Sequence, residues 1–222
     1  MISIAVVNSK GGVGKSTLAA ALAVRAARDS KRIAMVDLDP QKSLVEWWAR
    51  RGKTANPTIF EGADTAADAI EALQLDGWDF VFLDGPPAFI GVMEEMIAAA
   101  DFVLIPVKAS MIDLLATQDA VALAREANAK FLVVINDVGP RERLVESARE
   151  LLSNADVPFA GTQITHRVSH VMGMTVGKSA AEVNNGRDTA AAEEIDRLWK
   201  EVKSAAAKAS RSRAKAQEAA HD

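Results

Sequence analysis

Lys10-Gly11-Gly12-Val13-Gly14-Lys15-Ser16-Thr17 follows directly on the apolar run 2–7, and an alanine-rich helical pattern begins near Lys15. Strand, glycine-rich turn and helix, in that order, make the context that a phosphate-binding loop requires. Glycines let backbone N–H groups turn inward around a polyphosphate, because no Cβ blocks the approach. The helix that starts there adds unpaired N–H donors and the positive end of its dipole. In this pattern Lys15 reaches the β- and γ-phosphates and the Ser16 hydroxyl is placed to hold Mg2+. The stretch therefore reads as a nucleotide site. One position departs from the common G-x-x-x-x-G-K-[ST] form: Ser9 stands where the first glycine is usual, and a second lysine, Lys10, opens the loop.

Two more stretches fall in register with this loop. Residues 32–36 form a strand-like run that delivers Asp37-Leu38-Asp39-Pro40-Gln41, and residues 79–83 form another that ends on Asp84, followed by Gly85-Pro86-Pro87. Ligands of open α/β sheets bind at the carboxyl ends of the strands, so all three aspartates are expected level with the loop. Asp84 is placed to hold Mg2+ through a water, since magnesium keeps part of its hydration shell. Asp39 has a second reading, as the cap of a helix beginning near Lys42.

The variant loop K-G-G-V-G-K-S-T resembles the deviant Walker A loop of the ParA/MinD superfamily of P-loop ATPases, and the two acidic stretches match that family as well. The resemblance runs from the first strand to about residue 170. It implies a doubly wound, mostly parallel α/β sheet flanked by helices, with ATP bound by Lys10, Gly11, Gly12, Val13, Gly14, Lys15, Ser16 and Thr17. It also implies Mg2+ held with Ser16, Asp37 and Asp84, water oriented by Asp39, and catalysis by Lys10, Lys15 and Asp39. Family members dimerise with nucleotide between the protomers, and by resemblance Lys10 reaches across to the partner's phosphates. Asn136, at the end of the strand-like run 131–135, resembles the family's adenine contact; a turn residue before Asp137 is the other reading.

Composition sets the outer bounds. The chain has 222 residues, 49% of them hydrophobic and 25% charged, which is enough for one well-buried α/β domain. There is no cysteine, which excludes disulfides and thiolate metal sites and agrees with a reducing cytosol. It also separates the chain from relatives that carry an iron–sulfur cluster. No basic leader precedes the first strand and no apolar run approaches membrane-spanning length. A formal net charge of −4 leaves any nucleic-acid contact to a local patch.

Strand-like and helical runs alternate along the chain, as a doubly wound sheet requires. A short strand is expected at 58–60, a helix at 65–73 capped by Asp64, a strand at 102–106 and one helix over 112–127. A charged helix over 141–152 and a short strand near 157–161 complete the set. Trp47 and Trp48 are neighbours on a helix, so one is expected in the core and the other partly exposed. His166 and His170, four apart, would share a helical face but lack a third metal ligand. Residues 173–187 read as a mobile loop, and a last helix starts near Asp188. The ATPase domain is expected to span 1–202. The tail 203–222, rich in Ala, Lys and Arg, reads as a fraying helix or disordered segment, with a contribution to DNA binding as the other reading.

The function that the resemblance implies is a cytoplasmic, nucleoid-associated ParA-type ATPase. It would form a homodimer with ATP, bind DNA non-specifically, and work with a small centromere-binding or cargo-adaptor protein to partition a plasmid or chromosome or to position another cargo. Arg167, Lys178 and Arg187 are the candidate DNA contacts. A membrane-cycling MinD-like role would need bulky apolar residues on the terminal helix, which the tail lacks, so no membrane partner is expected. A ligase or kinase on the same fold is the other alternative.

Overall fold

The computed structural model describes residues 1–29, 32–139, 142–186 and 188–219. Six strands, β1 (Ile2–Val6), β2 (Ile33–Asp37), β3 (Thr58–Ile59), β4 (Phe80–Asp84), β5 (Phe102–Val107) and β6 (Phe131–Ile135), form one sheet. Its order is β3-β2-β4-β1-β5-β6, and every pairing is parallel. Helices interleave the strands: α1 (Lys15–Ala27), α2 (Ser43–Arg50), α3 (Ala66–Leu75), α4 (Ile90–Ala99), α5 (Met111–Ala116) and α6 (Gln118–Glu126). After β6 come α7 (Glu142–Asn154), α8 (Val168–Val176), a 3-10 segment (Ala180–Gly186) and α9 (Thr189–Ala219).

The strands are apolar at nearly every position because both faces are covered. Alternate residues go to opposite sides: Ile4, Ile33, Met35, Phe80, Phe82 and Leu104 pack with α1, α2 and α9. Ala5, Val7, Val81, Leu83, Val103 and Ile105 pack with α3, α4, α6 and α7. Trp199 of α9 closes the first layer, edge-on to Phe80 with ring centroids 5.1 Å apart, while its Nε1 donates to Asp29 Oδ2 at 3.2 Å. The alanines of α1 are buried between sheet and outer helices, where small side chains permit close approach. Trp47 is fully buried and Trp48 half-buried, as expected of neighbours on one helix.

Several local expectations are corrected. Thr65, not Asp64, caps α3: its Oγ1 accepts from Asp68 N–H at 3.1 Å. The single helix expected over 112–127 is two. Ser9 Oγ donates to the Ala116 carbonyl at 2.8 Å, and Thr117 Oγ1 accepts from Asn8 Nδ2 at 3.3 Å, so the chain is drawn in under the glycine-rich loop at Thr117. Near 157–161 only an isolated bridge, Val133 to Phe159, extends the sheet. The stretch expected as a mobile loop continues α8 and then forms the 3-10 segment. Arg51 holds Glu182 through two bonds of 2.8 and 2.9 Å, and Trp47 Nε1 donates to the Lys178 carbonyl at 3.1 Å. The tail, too, is ordered helix as far as Ala219. Ala206 and Ala209 are buried in the first layer, and Arg213 donates to the Ala100 and Ala98 carbonyls at 2.6 and 2.9 Å. Its apolar face is made of alanine alone.

Candidate phosphate and magnesium site

The register of the sheet gathers the site. Asp37 lies opposite Asp84, and Asp84 opposite Val6, so two acidic strand ends lie side by side on one side of the entry to the loop. Asn8, fully buried, fixes that entry: its Nδ2 donates to the Pro106 carbonyl at 2.8 Å and its Oδ1 accepts from Lys10 N–H at 2.9 Å. Gly12 and Gly14 take φ of +73° and +92°, a region costly for side chains. A Cβ at Gly14 would in addition lie 2.3 Å from Asn136 Nδ2. Gly14 caps α1 without any side-chain hydrogen bond, so the first amides of the helix remain available to an anion.

Lys15 is buried beside Asp84 and Asp39, and its Nζ donates to the Lys10 carbonyl at 3.2 Å. Burial lowers its pKa, and the two aspartates oppose that shift. Asp84 is wholly buried, and among the described residues no hydrogen bond of ordinary geometry reaches either carboxylate oxygen. Burial pushes its pKa up to about 7, with the Ser16 hydroxyl and Lys15 pulling the other way. A desolvated, unpartnered carboxylate next to Ser16 is a group built for a cation. The glycine geometry, the open helix start and this orphaned acid together fit a Mg2+–nucleotide complex.

The two aspartates after β2 divide their work in a way the sequence left open. Asp37 does the capping: its Oδ2 accepts from Leu44 and Val45 N–H at 2.9 and 3.1 Å, and its Oδ1 accepts from Asp39 N–H at 3.1 Å. Among the described residues Asp39 spends only Oδ1, on Gln41 N–H at 2.9 Å. Asn136 is buried under the loop, and its Nδ2 donates to the Val13 carbonyl at 2.7 Å. Beside it a cavity of about 150 Å³ opens between Thr17, Asn136, Arg167 and His170. His170 Nε2 and Arg167 Nε face no partner there among the described residues.

Lys10 is not extended. Its ammonium forms an ion pair with Asp113 of α5, whose carboxylate also accepts from Ser110 Oγ. Nothing in the sequence singled out Asp113, Asn8 or Thr117, because their roles come from β1 and β5 being neighbours in the sheet.

The candidate DNA contacts do not form one group. Arg167 lines the cavity and pairs with Glu194 at 2.9 Å. Lys178 is exposed, and Arg187 lies outside the described residues. His166 precedes α8 and bonds Asp137 at 2.5 Å, so it shares no helical face with His170. A basic stripe appears elsewhere, on α9. Arg197, Lys200, Lys208, Arg211 and Lys215 are exposed at helical spacing, opposite the buried Leu198, Val202, Ala206 and Ala209. Lys208, Arg211 and Lys215 have no acidic partner among the described residues.

Fold and site define a P-loop nucleotide-binding protein of the deviant-lysine type. The family model for the CobQ/CobB/MinD/ParA nucleotide-binding domain matches residues 4–172, and the chain belongs to that family as a ParA/MinD-type ATPase. It is similar to "Maintenance of carboxysome distribution protein A" of Halothiobacillus neapolitanus, with 29% identity over 90% of this chain and 95% of the relative. The protein of that name from Gloeobacter kilaueensis is 32% identical over 89% of this chain and 95% of its own length. Among solved structures, the Pyrococcus furiosus cell division ATPase MinD superposes with a TM-score of 0.72 at 20% identity, covering 91% of this chain and 98% of that one.

Proposed function

We propose that this protein positions an intracellular cargo by ATP-driven cycling between a monomer and a DNA-bound dimer. The observation that carries the reading is the loop itself: Lys15 on the glycine-rich turn beside a buried Asp84 whose oxygens have no hydrogen-bond partner among the described residues, with a second lysine, Lys10, on the same turn. In this reading the loop amides and Lys15 cradle the β- and γ-phosphates, while Ser16 and Asp84 hold Mg2+, Asp84 through a water. Asp37, occupied by three backbone amides, supports the site by fixing the turn that carries Asp39. Asp39 keeps an oxygen for orienting water, and the base enters the cavity beside Thr17 and Asn136. Bound Mg2+ would neutralise charge on the transferring phosphate.

DNA contact is assigned to the stripe Lys208, Arg211 and Lys215, together with Lys178. Arg167 is committed to Glu194 and is not counted among these contacts. Among the described residues no helix is long and apolar enough to cross a membrane. Matches along nearly the whole chain to two carboxysome-distribution proteins favour a cargo of that kind, reached through an adaptor, over a plasmid.

The DNA step is tested by mobility shifts of unrelated duplexes at two salt concentrations. Binding is expected only with ATP and is expected to weaken steeply with salt. Replacing Lys208, Arg211 and Lys215 by alanine should flatten the salt slope by about one unit per residue. Binding that ignores salt, or none with ATP present, contradicts the DNA assignment.

A further inference from the structure

We propose that Asp113 is a positioning residue for Lys10: it stores the loop's second lysine in the free protein and sets the threshold at which two copies assemble. The inference rests on the proposed function only in taking Lys10 as the group that crosses to a second copy's phosphates.

Three features make this pair a store rather than a chance surface contact. The carboxylate is nearly buried, with its side chain 8% exposed against 36% for Lys10. Asp113 lies in the first turn of α5, where its N–H donates to Ser110 Oγ at 3.2 Å and its Oδ2 accepts from the same hydroxyl. The lysine is the movable partner, a charge on a flexible stem. The backbone of Lys10 is pinned at both ends, by Asn8 Oδ1 on its N–H and by Lys15 Nζ on its carbonyl. Only the side chain has freedom, and Asp113 holds it.

The consequence is a competition. When Lys10 leaves for a second copy's phosphates, Asp113 loses its cation while remaining desolvated. Lys108, the other nearby ammonium, is paired with Asp137 at 2.7 Å and acts on Asp113 only as a charge without a hydrogen bond to it. Removing one member of a desolvated pair is costly, because the other charge is left uncompensated. Assembly therefore works against this ion pair, and the threshold for assembly is higher than the nucleotide contacts alone would set. The sequence separation of Lys10 and Asp113 shows why no motif reveals the pair: β1 and β5 are adjacent in the sheet, and each delivers one of the charges at its carboxyl end.

Asp113→Asn is the test, because asparagine keeps the shape and can still accept from Ser110. Two readouts are needed on the full chain. The first is the rate at which an amine-acylating ester modifies Lys10 in the nucleotide-free protein, followed by peptide mass spectrometry, with Lys200 as an internal reference. Lys10 is expected to react several-fold faster in Asp113→Asn. An unchanged rate overturns the pairing, and this readout stands even if the wild-type chain never dimerises. The second is the protein concentration at half-maximal assembly with Mg2+ and ATP. It is expected to fall about 3- to 10-fold in Asp113→Asn, as for loss of a partly exposed to buried ion pair. On a Lys10→Ala background, which stays monomeric, the same substitution is expected to leave the chain monomeric. A midpoint that is unmoved or raised, or assembly that Asp113→Asn restores in the absence of Lys10, overturns the store.

Discussion

Replacing Asp84 by asparagine tests the site through stability, without any ligand. The carboxyl is wholly buried and its pKa is pushed up to about 7, chiefly by desolvation. In the unfolded chain an aspartate ionises near pH 3.9. Between those values the folded state holds a proton that the unfolded state has released, so stability falls as pH rises from about 4 to about 7 and then stays low. A displacement of about three pH units corresponds to at most about 4 kcal/mol. Asparagine has the shape of the protonated acid and does not titrate. The variant should therefore exceed the wild type by about 1.5 kcal/mol near pH 5 and by up to about 4 kcal/mol near pH 8.5. Asp37, also raised by burial, acts with the same sign, and His170, lowered by burial, acts with the opposite sign just below its ordinary value. Both are present in the two proteins and largely cancel in the difference. Urea unfolding followed by far-UV circular dichroism gives that difference at each pH, with a common m-value as the check on comparability. A gap of equal size at both pH values would refute the desolvated-carboxylate account. The same variant should lose Mg2+-dependent nucleotide affinity, the reverse of its effect on stability.

Two further outcomes concern the loop. Gly14→Ala places a Cβ 2.3 Å from Asn136 Nδ2 at a φ of +92°, so nucleotide binding measured by calorimetry should be lost, with a stability cost of about 1 kcal/mol or more. Retained affinity would mean that the loop does not take this geometry. Lys15→Ala should lose ATP hydrolysis and ATP-dependent assembly together, since the phosphates lose their principal cation; turnover at the wild-type rate would remove Lys15 from the site.

Much of this site was legible because its chemistry is local. Glycine spacing, the lysine after it and an acid at the end of an apolar strand are written in short stretches, and the order of those stretches places them together at the carboxyl ends of neighbouring parallel strands. Side-chain traffic between elements was not legible. The choice of Asp37 over Asp39 as the cap of α2 depends on how the turn after β2 folds back, which the D-x-D-P-Q spacing leaves open. Asn136 occupies the expected strand end, yet its amide holds the Val13 carbonyl, a contact made 123 residues away in sequence. The break at Thr117 follows from hydrogen bonds offered by Asn8 and Ser9. The docked tail was hidden because its buried face is alanine, which carries little hydrophobic signal but lets Arg213 approach the end of α4.

The central claim is that the two lysines and Asp39 make an assembly cycle driven by nucleotide. Molar mass, measured by light scattering during size exclusion with Mg2+ and ATP, tests it most directly on the wild type, Asp39→Ala and Lys10→Ala. The account predicts that the wild type forms a transient dimer and that Asp39→Ala, able to bind but not to hydrolyse, accumulates as a stable one. Lys10→Ala should bind nucleotide and remain a monomer. A monomeric Asp39→Ala alongside a dimeric Lys10→Ala would contradict it.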